Sequence, residues 1–386
     1  MIAPTSKKRI LILGGGFGGV YTARHLERQF AGRSDVEIVL VSQDNFLLMT
    51  PLLLEVFSGT LDVRNCSFPI RAFLRTARFV EAAVQRIDLE GRVVHLNAGS
   101  ETGEVAYDQL VLSLGAMTNR TMIPGSEHAF TFKTLADALL LRNHVIERLE
   151  RADVEPDSER KRRHLTFTVI GGGLVGVELF GELTAFVDGI APLYKHVNRD
   201  EVRFILIQGG DRIMPEIDVR LADYGARVLG KRRGADLMVD GTMRCPSRPE
   251  VWALGDCAFV PAPDGKPYPN LAQHALREAK LLARNIAAVF DGQPPQPFVY
   301  STLGLMGSLG HGKAFAQFLG IRVRGFLAWF VRRTYYLMQM PGWFRRLRIV
   351  IDWTFALLFR PDIVKINLDS EEASFWRQTH EDRSSR

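Results

Sequence analysis

KRILILGGGFGGVYTARHLERQ, residues 8–29, is the stretch on which the fold turns. A short apolar run, Ile10 to Leu13, ends in glycines, and apolar residues then recur at Val20, Ala23 and Leu26, the spacing of one helix face. Strand, tight turn, helix is the reading, and the next apolar run, Val36 to Val41, makes it the start of a parallel βαβ unit. Gly14, Gly16 and Gly19 fit GxGxxG directly after the strand. In that motif the first glycine permits the turn and the second lets a pyrophosphate approach the backbone. The third brings helix and strand together, with the phosphates at the helix N-terminus. Glycine-rich turns also join strands to helices for structural reasons alone, so one copy is weak. A second copy, Gly171, Gly173 and Gly176 in IGGGLVGVE, follows the apolar run Leu165 to Ile170 and precedes a helix expected over 174–187, with Val202 to Ile207 as the next strand. Two copies in the same context predict an α/β chain with two Rossmann-like dinucleotide-binding domains.

A chain of 386 residues with 46% hydrophobic and 24% charged content is too apolar to be disordered and long enough for more than one core. Cys66, Cys245 and Cys257 are too scattered for a disulfide framework or a Cys-based zinc site, and none forms CxxC. No metal site is expected. The net charge of +6 is local: His311 to Lys365 holds ten Lys/Arg against Asp352 and Asp362, so the rest is slightly acidic, which argues against a nucleic-acid partner. Four apolar residues before the first glycines are too few for a signal peptide, and Arg332, Arg333 and Asp352 interrupt every run that could span a bilayer. A cytosolic folded body is expected.

Further strands are predicted over Phe79–Val84, Val93–Leu96 and Gln109–Leu114, a helix over Leu135–Glu150, and a solvated connector over Arg151–His164. An acid usually ends the second strand of such a unit and holds a ribose. Here those positions are Ser42 and Gln208. Ser42 can still hydrogen-bond a ribose, with Asp44 two residues on. Gln208 carries no charge to repel a 2′-phosphate, which leaves both NADH and NADPH open. Asp256, in EVWALGDCA, follows an apolar strand and a glycine and reads either as a helix cap or as a ligand-binding acid. In the tail, a helix from Trp343 to Phe359 would set Trp343, Leu347, Val350, Ile351 and Leu358 against Arg345, Arg348 and Asp352 on the opposite face. Phe326, Leu327, Phe330, Val331, Leu337 and Met338 make another apolar set, next to Arg332 and Arg333. Basic, aromatic amphipathic helices suit an anionic membrane surface; a helix packed on the core or on a dimer partner is the alternative.

The chain resembles the type II NADH dehydrogenases, the single-subunit NADH:quinone oxidoreductases among the two-dinucleotide-binding-domain flavoproteins. The resemblance rests on LGGGFGGVYTA (13–23), DNFLLMTPLL (44–53), YDQLVLSLGA (107–116), IPG (123–125), FKTLADAL (132–139), IGGGLVGVELFGEL (170–183), GDRIMPEI (210–217), VWALGDCA (251–258) and LAQHALREA (271–279). It implies an FAD-binding domain over 1–150 and 235–310, an NADH-binding domain over 160–234, and a C-terminal membrane-associating region over 311–386. It also implies residue roles. Gly14, Gly16 and Gly19 would hold the FAD pyrophosphate and Ser42 its ribose, with Thr50, Pro51 and Leu52 near the isoalloxazine. Gly115 would lie at the crossing between domains, and Asp256 would bind the ribityl chain. Gly171, Gly173 and Gly176 would hold NADH, with Gln208 at the ribose position and Glu178 beside the nicotinamide path. Gln273 matches the first glutamine of the quinone-side AQ motif; Arg277 stands where a second glutamine is often found.

The activity implied is electron transfer from NADH through FAD to a membrane quinone without a metal cluster, in the respiratory chain, on the cytoplasmic face of the membrane as a peripheral protein. A homodimer is left open. One departure qualifies this: a mononucleotide-binding half takes on the order of a hundred residues, whereas Leu165 to Gly234 spans 70. After KRRG the chain jumps to the VDG segment, so the NADH half reads as truncated. The alternative function is therefore a non-catalytic or impaired membrane-associated FAD-binding protein.

Overall fold

The computed structural model describes residues 6–98, 101–120, 123, 125–208, 237–263, 265–302, 304–318, 321–359 and 364. GDRIMPEI (210–217), the junction after Gly234, Pro124 of IPG and the chain beyond 364 lie outside them. Two compact units are formed, each from three stretches of chain: Met1–Leu48, Ser67–Met117 and Arg233–Thr302 in the first, and Met49–Cys66, Thr118–Arg232 and Leu303–Arg386 in the second.

In the first unit the opening strand, Lys8–Leu13, sits inside a six-stranded sheet whose order is Arg244–Cys245, Arg248–Ala253, Gln109–Leu112, Lys8–Leu13, Val36–Ser42, Arg78–Glu81. All neighbours are parallel except the Arg244–Cys245 edge. Four consecutive apolar residues, Ile10 to Leu13, are buried because a strand alternates its side chains and this sheet is covered on both faces. Ile10 and Ile12 pack with Val20, Ala23 and Leu26 of the helix Phe17–Gln29, with Trp252, and with Ala279, Leu282 and Ile286 of the helix Ala272–Phe290. Leu11 and Leu13 face Val94, Leu96 and Val105 of a second, antiparallel sheet formed by Ala83–Asp88, Val93–Ala98 and Glu101–Ala106. The expected strand Phe79–Val84 is thus two strands in two sheets, divided at Ala82, and Glu101–Ala106 had no expectation behind it. Its ETGEVA composition carries too little apolar signal to mark a strand.

In the second unit the strands Thr166–Ile170 and Arg203–Ile207 pair in parallel around the helix Leu174–Ile190. They are the only partners in their sheet among the described residues. The stretch expected as a solvated connector is helical instead. Leu135–Val154 runs past Glu150, and Ser158–His164 follows as a helix whose Asp157 cap accepts from the Arg160 N–H. Charged residues spaced three and four apart, such as Glu159 with Arg162 and Arg163, support a helix as readily as a loop. Downstream, an antiparallel meander of Gly304–Ser308, Ala314–Phe318 and Ile321–Arg324 precedes two helices, Phe326–Gln339 and Trp343–Leu358. No described helix is long and apolar enough to cross a membrane.

The tail helices turn their faces opposite to an ordinary surface helix. Phe326, Leu327, Phe330, Val331 and Met338 are exposed, while Arg332 and Arg333 are buried. On the last helix Trp343, Phe344, Leu347, Val350, Ile351 and Leu358 are exposed, and Asp352 turns inward to accept from the Asp62 N–H at 3.1 Å and Asn65 Nδ2 at 2.8 Å. Arg345, expected to face lipid, donates to the Arg64 carbonyl, and Arg346 donates to the Met338 and Met340 carbonyls. Of the three arginines on the helix Trp343–Leu358, Arg345 and Arg346 are half-buried and Arg348 is exposed.

Candidate functional site

The first glycine turn is built by backbone contacts that tolerate no side chain at two positions and leave the third open. Gly14 donates its N–H to the Val41 carbonyl at 2.8 Å and has φ +113°, a conformation that only glycine adopts readily. A Cβ there would overlap the Ser113 carbonyl oxygen, and one at Gly19 would overlap the Gly14 carbonyl oxygen. Ser113 steadies the same corner by donating its hydroxyl to the Leu13 carbonyl at 2.8 Å. Gly16 differs: its φ is −79° and a Cβ would meet nothing within 4 Å. It starts the helix Phe17–Gln29, with no side-chain cap and no acid in the first turn. Helix N–H groups without intrahelical partners, beside space that a side chain would fill, fit an anionic pyrophosphate.

Around this turn, Ser42 ends the second strand with its hydroxyl packed on Gly15. Burial, and then the Glu81 carboxylate, raises the Asp44 carboxyl. Gly115 adopts φ +71° with nothing within 4 Å of its Cβ direction. Asp256 lies in a single turn, Gly255–Cys257, whose Gly255 N–H donates to Glu278 Oε2 at 2.9 Å; burial, with Asp256 nearby, pushes Glu278 up to about 7. Gln273 accepts from the Tyr300 hydroxyl at 3.1 Å. Arg277 stacks over the Tyr300 ring at 4.6 Å and donates to the Gln273 carbonyl, while burial and Arg277 lower the His274 imidazole to about 4. Burial raises the Cys257 thiol, so it is not activated as a nucleophile.

The second turn, in the second unit, repeats the plan. Gly171 donates to the Ile207 carbonyl at 2.9 Å with φ +103°, a Cβ at Gly176 would overlap the Gly171 carbonyl oxygen, and Gly173 starts the helix Leu174–Ile190 without a side-chain cap. Since Gly14 bonds the residue before Ser42 and Gly171 the residue before Gln208, those two side chains occupy equivalent strand ends. The Gln208 amide oxygen accepts from the Gly172 N–H at 3.0 Å, holding the turn itself.

Glu178 is in the first turns of that helix and is buried. Its Oε1 accepts from the Ser308 N–H at 2.7 Å and lies 3.1 Å from Arg332 Nη2. Arg332 is 1% exposed; Nη1 pairs with Glu55 Oε1 at 3.0 Å and Nη2 donates to the Pro51 carbonyl at 2.9 Å. One guanidinium therefore joins the Thr50–Leu52 turn, Glu55 and Glu178 within this unit. Desolvation outweighs Arg332 and raises the Glu178 carboxyl. Arg333 lies between the Trp329 and Trp353 rings, at 4.0 and 4.8 Å. The sequence reading singles out Glu178 and Pro51 as site residues and places Arg332 and Arg333 only in the tail; the structure brings Glu55, Arg332 and Arg333 to them. The available signal was a pair of arginines inside an apolar helix, which bears on lipid and on buried acids equally.

Residues 8–237 match the family described as pyridine nucleotide-disulphide oxidoreductase. The type II NADH:quinone oxidoreductase Ndh of Mycobacterium tuberculosis is 26% identical, over 92% of this chain and 89% of that protein. The alignment runs over 426 positions against the 386 residues here, so that relative carries segments with no counterpart in this chain. An internal alternative NAD(P)H-ubiquinone oxidoreductase of Arabidopsis thaliana is 29% identical over 95% of this chain and 88% of its own. Among solved structures, NDH2 of Plasmodium falciparum in complex with NADH superposes with a TM-score of 0.82 over 93% of this chain and all of that one; at 19% identity the likeness concerns the fold.

Proposed function

Since the chain belongs to the type II NADH:quinone oxidoreductase family, within the pyridine nucleotide-disulphide oxidoreductases, we propose that it oxidises NADH and reduces a quinone. The observation that carries this reading is the pair of equivalent strand–glycine–helix turns, each opening a helix whose N-terminus has no side-chain cap. We assign FAD to the first, over 1–150 and 235–310. Gly16 backbone N–H groups face the pyrophosphate, Ser42 the ribose and Asp256 the ribityl hydroxyls, with Gly115 at the crossing between domains. FAD supplies the two-electron chemistry. We assign the nicotinamide cofactor, NADH with NADPH still open, to the second turn over 160–234. There Gly173 faces the phosphates, Gln208 the ribose and Glu178 the nicotinamide side, while Thr50–Leu52 lies toward the isoalloxazine. Gln273, aimed by Tyr300, takes the quinone side.

The C-terminal region has its membrane-facing role supported by the outward apolar faces of both tail helices, which suit a peripheral seat on an anionic membrane surface, on the cytoplasmic side. The rival, a non-catalytic FAD-binding protein, draws on one observation: only two parallel strands are described in the second nucleotide fold. Anaerobic mixing separates the two. NADH should bleach the flavin absorbance of the purified protein and a quinone should restore it. Flavin that stays oxidised through many turnover times of NADH exposure would favour the rival.

A further inference from the structure

Two ionisable side chains are buried beside the turn that carries Asp256. His274 and Glu278, 1% and 3% exposed, are one helical turn apart on the helix Ala272–Phe290, so their side chains share a face. A carboxyl taken out of water needs hydrogen-bond donors around it. The donor that Glu278 has is a backbone group of the turn: its Oε2 accepts from the Gly255 N–H at 2.9 Å. Gly255 opens the turn Gly255–Cys257 with φ +69°, so a bond at its N–H ties a left-handed corner to the helix just before Asp256.

His274 is held on one side only. Its Nε2 lies 3.2 Å from Thr302 Oγ1, whereas Nδ1 is buried with no partner among the described residues. A neutral imidazole has one donor and one acceptor nitrogen, so in either tautomer Nδ1 needs a hydrogen bond. Both side chains, with Gly255 and Asn270, line a cavity that leaves about 10 Å³ for the centre of a water molecule, room for one. We propose that His274 and Glu278 are positioning residues for the flavin. One buried water joins His274 Nδ1 to the Glu278 carboxyl, and Glu278, through the Gly255 N–H, fixes the turn from which Asp256 reaches the ribityl hydroxyls. The inference rests on the assignment of Asp256 to FAD made above. Ionised or protonated, the Glu278 carboxyl has an oxygen for the Gly255 N–H, so a glutamine can take its place and an apolar side chain cannot.

FAD release from the loaded protein, followed by the return of free-flavin fluorescence on dilution, tests the positioning; a high-resolution crystal structure of the loaded protein tests the water. Glu278→Leu strands the Gly255 N–H without an acceptor and should speed release about tenfold or more. Glu278→Gln should keep release within about threefold of the wild type. His274→Phe keeps a ring against Tyr268 and Tyr300 but removes Nδ1, and should speed release about threefold. A residue that acts through Asp256 loses its effect once Asp256 is gone, so in an Asp256→Ala background Glu278→Leu should add less than about twofold, where independent effects would multiply. The crystal structure should show one water within hydrogen-bond distance of His274 Nδ1 and the Glu278 carboxyl. Unchanged release in Glu278→Leu, or its full effect repeated in the Asp256→Ala background, overturns the positioning while leaving Asp256 on the flavin. Asp256→Ala protein that holds FAD as firmly as the wild type overturns the Asp256 assignment and the positioning with it. Should Glu278→Leu not fold, His274→Phe and the crystal structure decide: unchanged release, or no water at that place, overturns the bridge through which His274 acts.

Discussion

Substituting Gly16 and Gly19 separately should divide cofactor binding from folding. At Gly19 a Cβ would overlap the Gly14 carbonyl oxygen and lie 2.6 Å from Ser113 Oγ. The overlapped atom is backbone and cannot rotate away, so helix and strand must separate in a sheet whose central strand, Ile10 to Leu13, is wholly buried. Overpacking of that kind costs about 1–3 kcal/mol even where side chains can give, so Gly19→Ala should lose about 3 kcal/mol or more of stability. Gly16 has an ordinary backbone and no neighbour within 4 Å, so Gly16→Val should change the stability of the flavin-free protein by less than about 1 kcal/mol. The valine fills the space assigned to the pyrophosphate, however, and should yield colourless protein. Urea unfolding of flavin-free samples, alongside the flavin absorbance of the purified ones, reads both quantities. Gly16→Val protein with normal flavin content, or Gly19→Ala protein as stable as the wild type, would refute the division of roles.

Three further outcomes follow from the second unit. Arg332→Met leaves Glu55, Glu178 and Glu182 buried with only Arg333, so it should cost about 3–5 kcal/mol at pH 8 and less at pH 5, where the stranded carboxyls can take up protons; urea titrations at the two pH values check the sign. Glu182, with a folded value of about 7 against 4.5 unfolded, binds more protons folded than unfolded between those limits, so stability falls as pH rises through that window and levels off above it. Glu182→Gln should remove about 3 kcal/mol of that pH dependence, and an equal slope in wild type and variant denies the assignment. On the tail, Phe344 and Leu358 are 79% and 73% exposed. Replacing both with Ser should weaken binding to anionic vesicles by about 3 kcal/mol or more, roughly a hundredfold. Added salt should weaken binding only modestly, because Arg345 and Arg346 already donate to backbone carbonyls and apolar burial is not screened. Unchanged partition after the double substitution would leave the tail as a packing or dimerisation element.

Much of the site was legible in the residues because it depends on local backbone geometry. GxGxxG after an apolar run specifies a strand, a turn with φ > 0 and a helix start within a dozen residues, and both turns have that form. Strand ends can also be counted from the turns, and the Gly14 and Gly171 bonds to the residues just before them place Ser42 and Gln208 at equivalent positions. What failed depended on partners distant in the chain. Phe79–Val84 is one apolar run, yet Arg78–Glu81 pairs with Val36–Ser42 while Ala83–Asp88 pairs with Val93–Ala98, and no local pattern marks Ala82 as the division. Gly304–Ser308, Ala314–Phe318 and Ile321–Arg324 are only four or five residues each, too short for a period of two to stand out locally.

Two strand–glycine–helix units and a basic tail of amphipathic helices are legible in the residues alone, because periods of 2 and 3.6 residues and the demands of glycine turns are properties of neighbouring residues. It could not determine which face of a tail helix turns inward. Periodicity sets the apolar and charged faces on opposite sides of the axis but carries no sign, and burial of the apolar face is the ordinary outcome. Here long-range contacts set the sign: Glu55, Glu178 and Glu182, brought together from positions 55 and 178–182 of the chain, meet Arg332 and Arg333 in the interior and leave Phe326, Leu327 and Phe330 outside. A buried guanidinium is tolerable only where carboxylates satisfy it, and those carboxylates lie more than a hundred residues away.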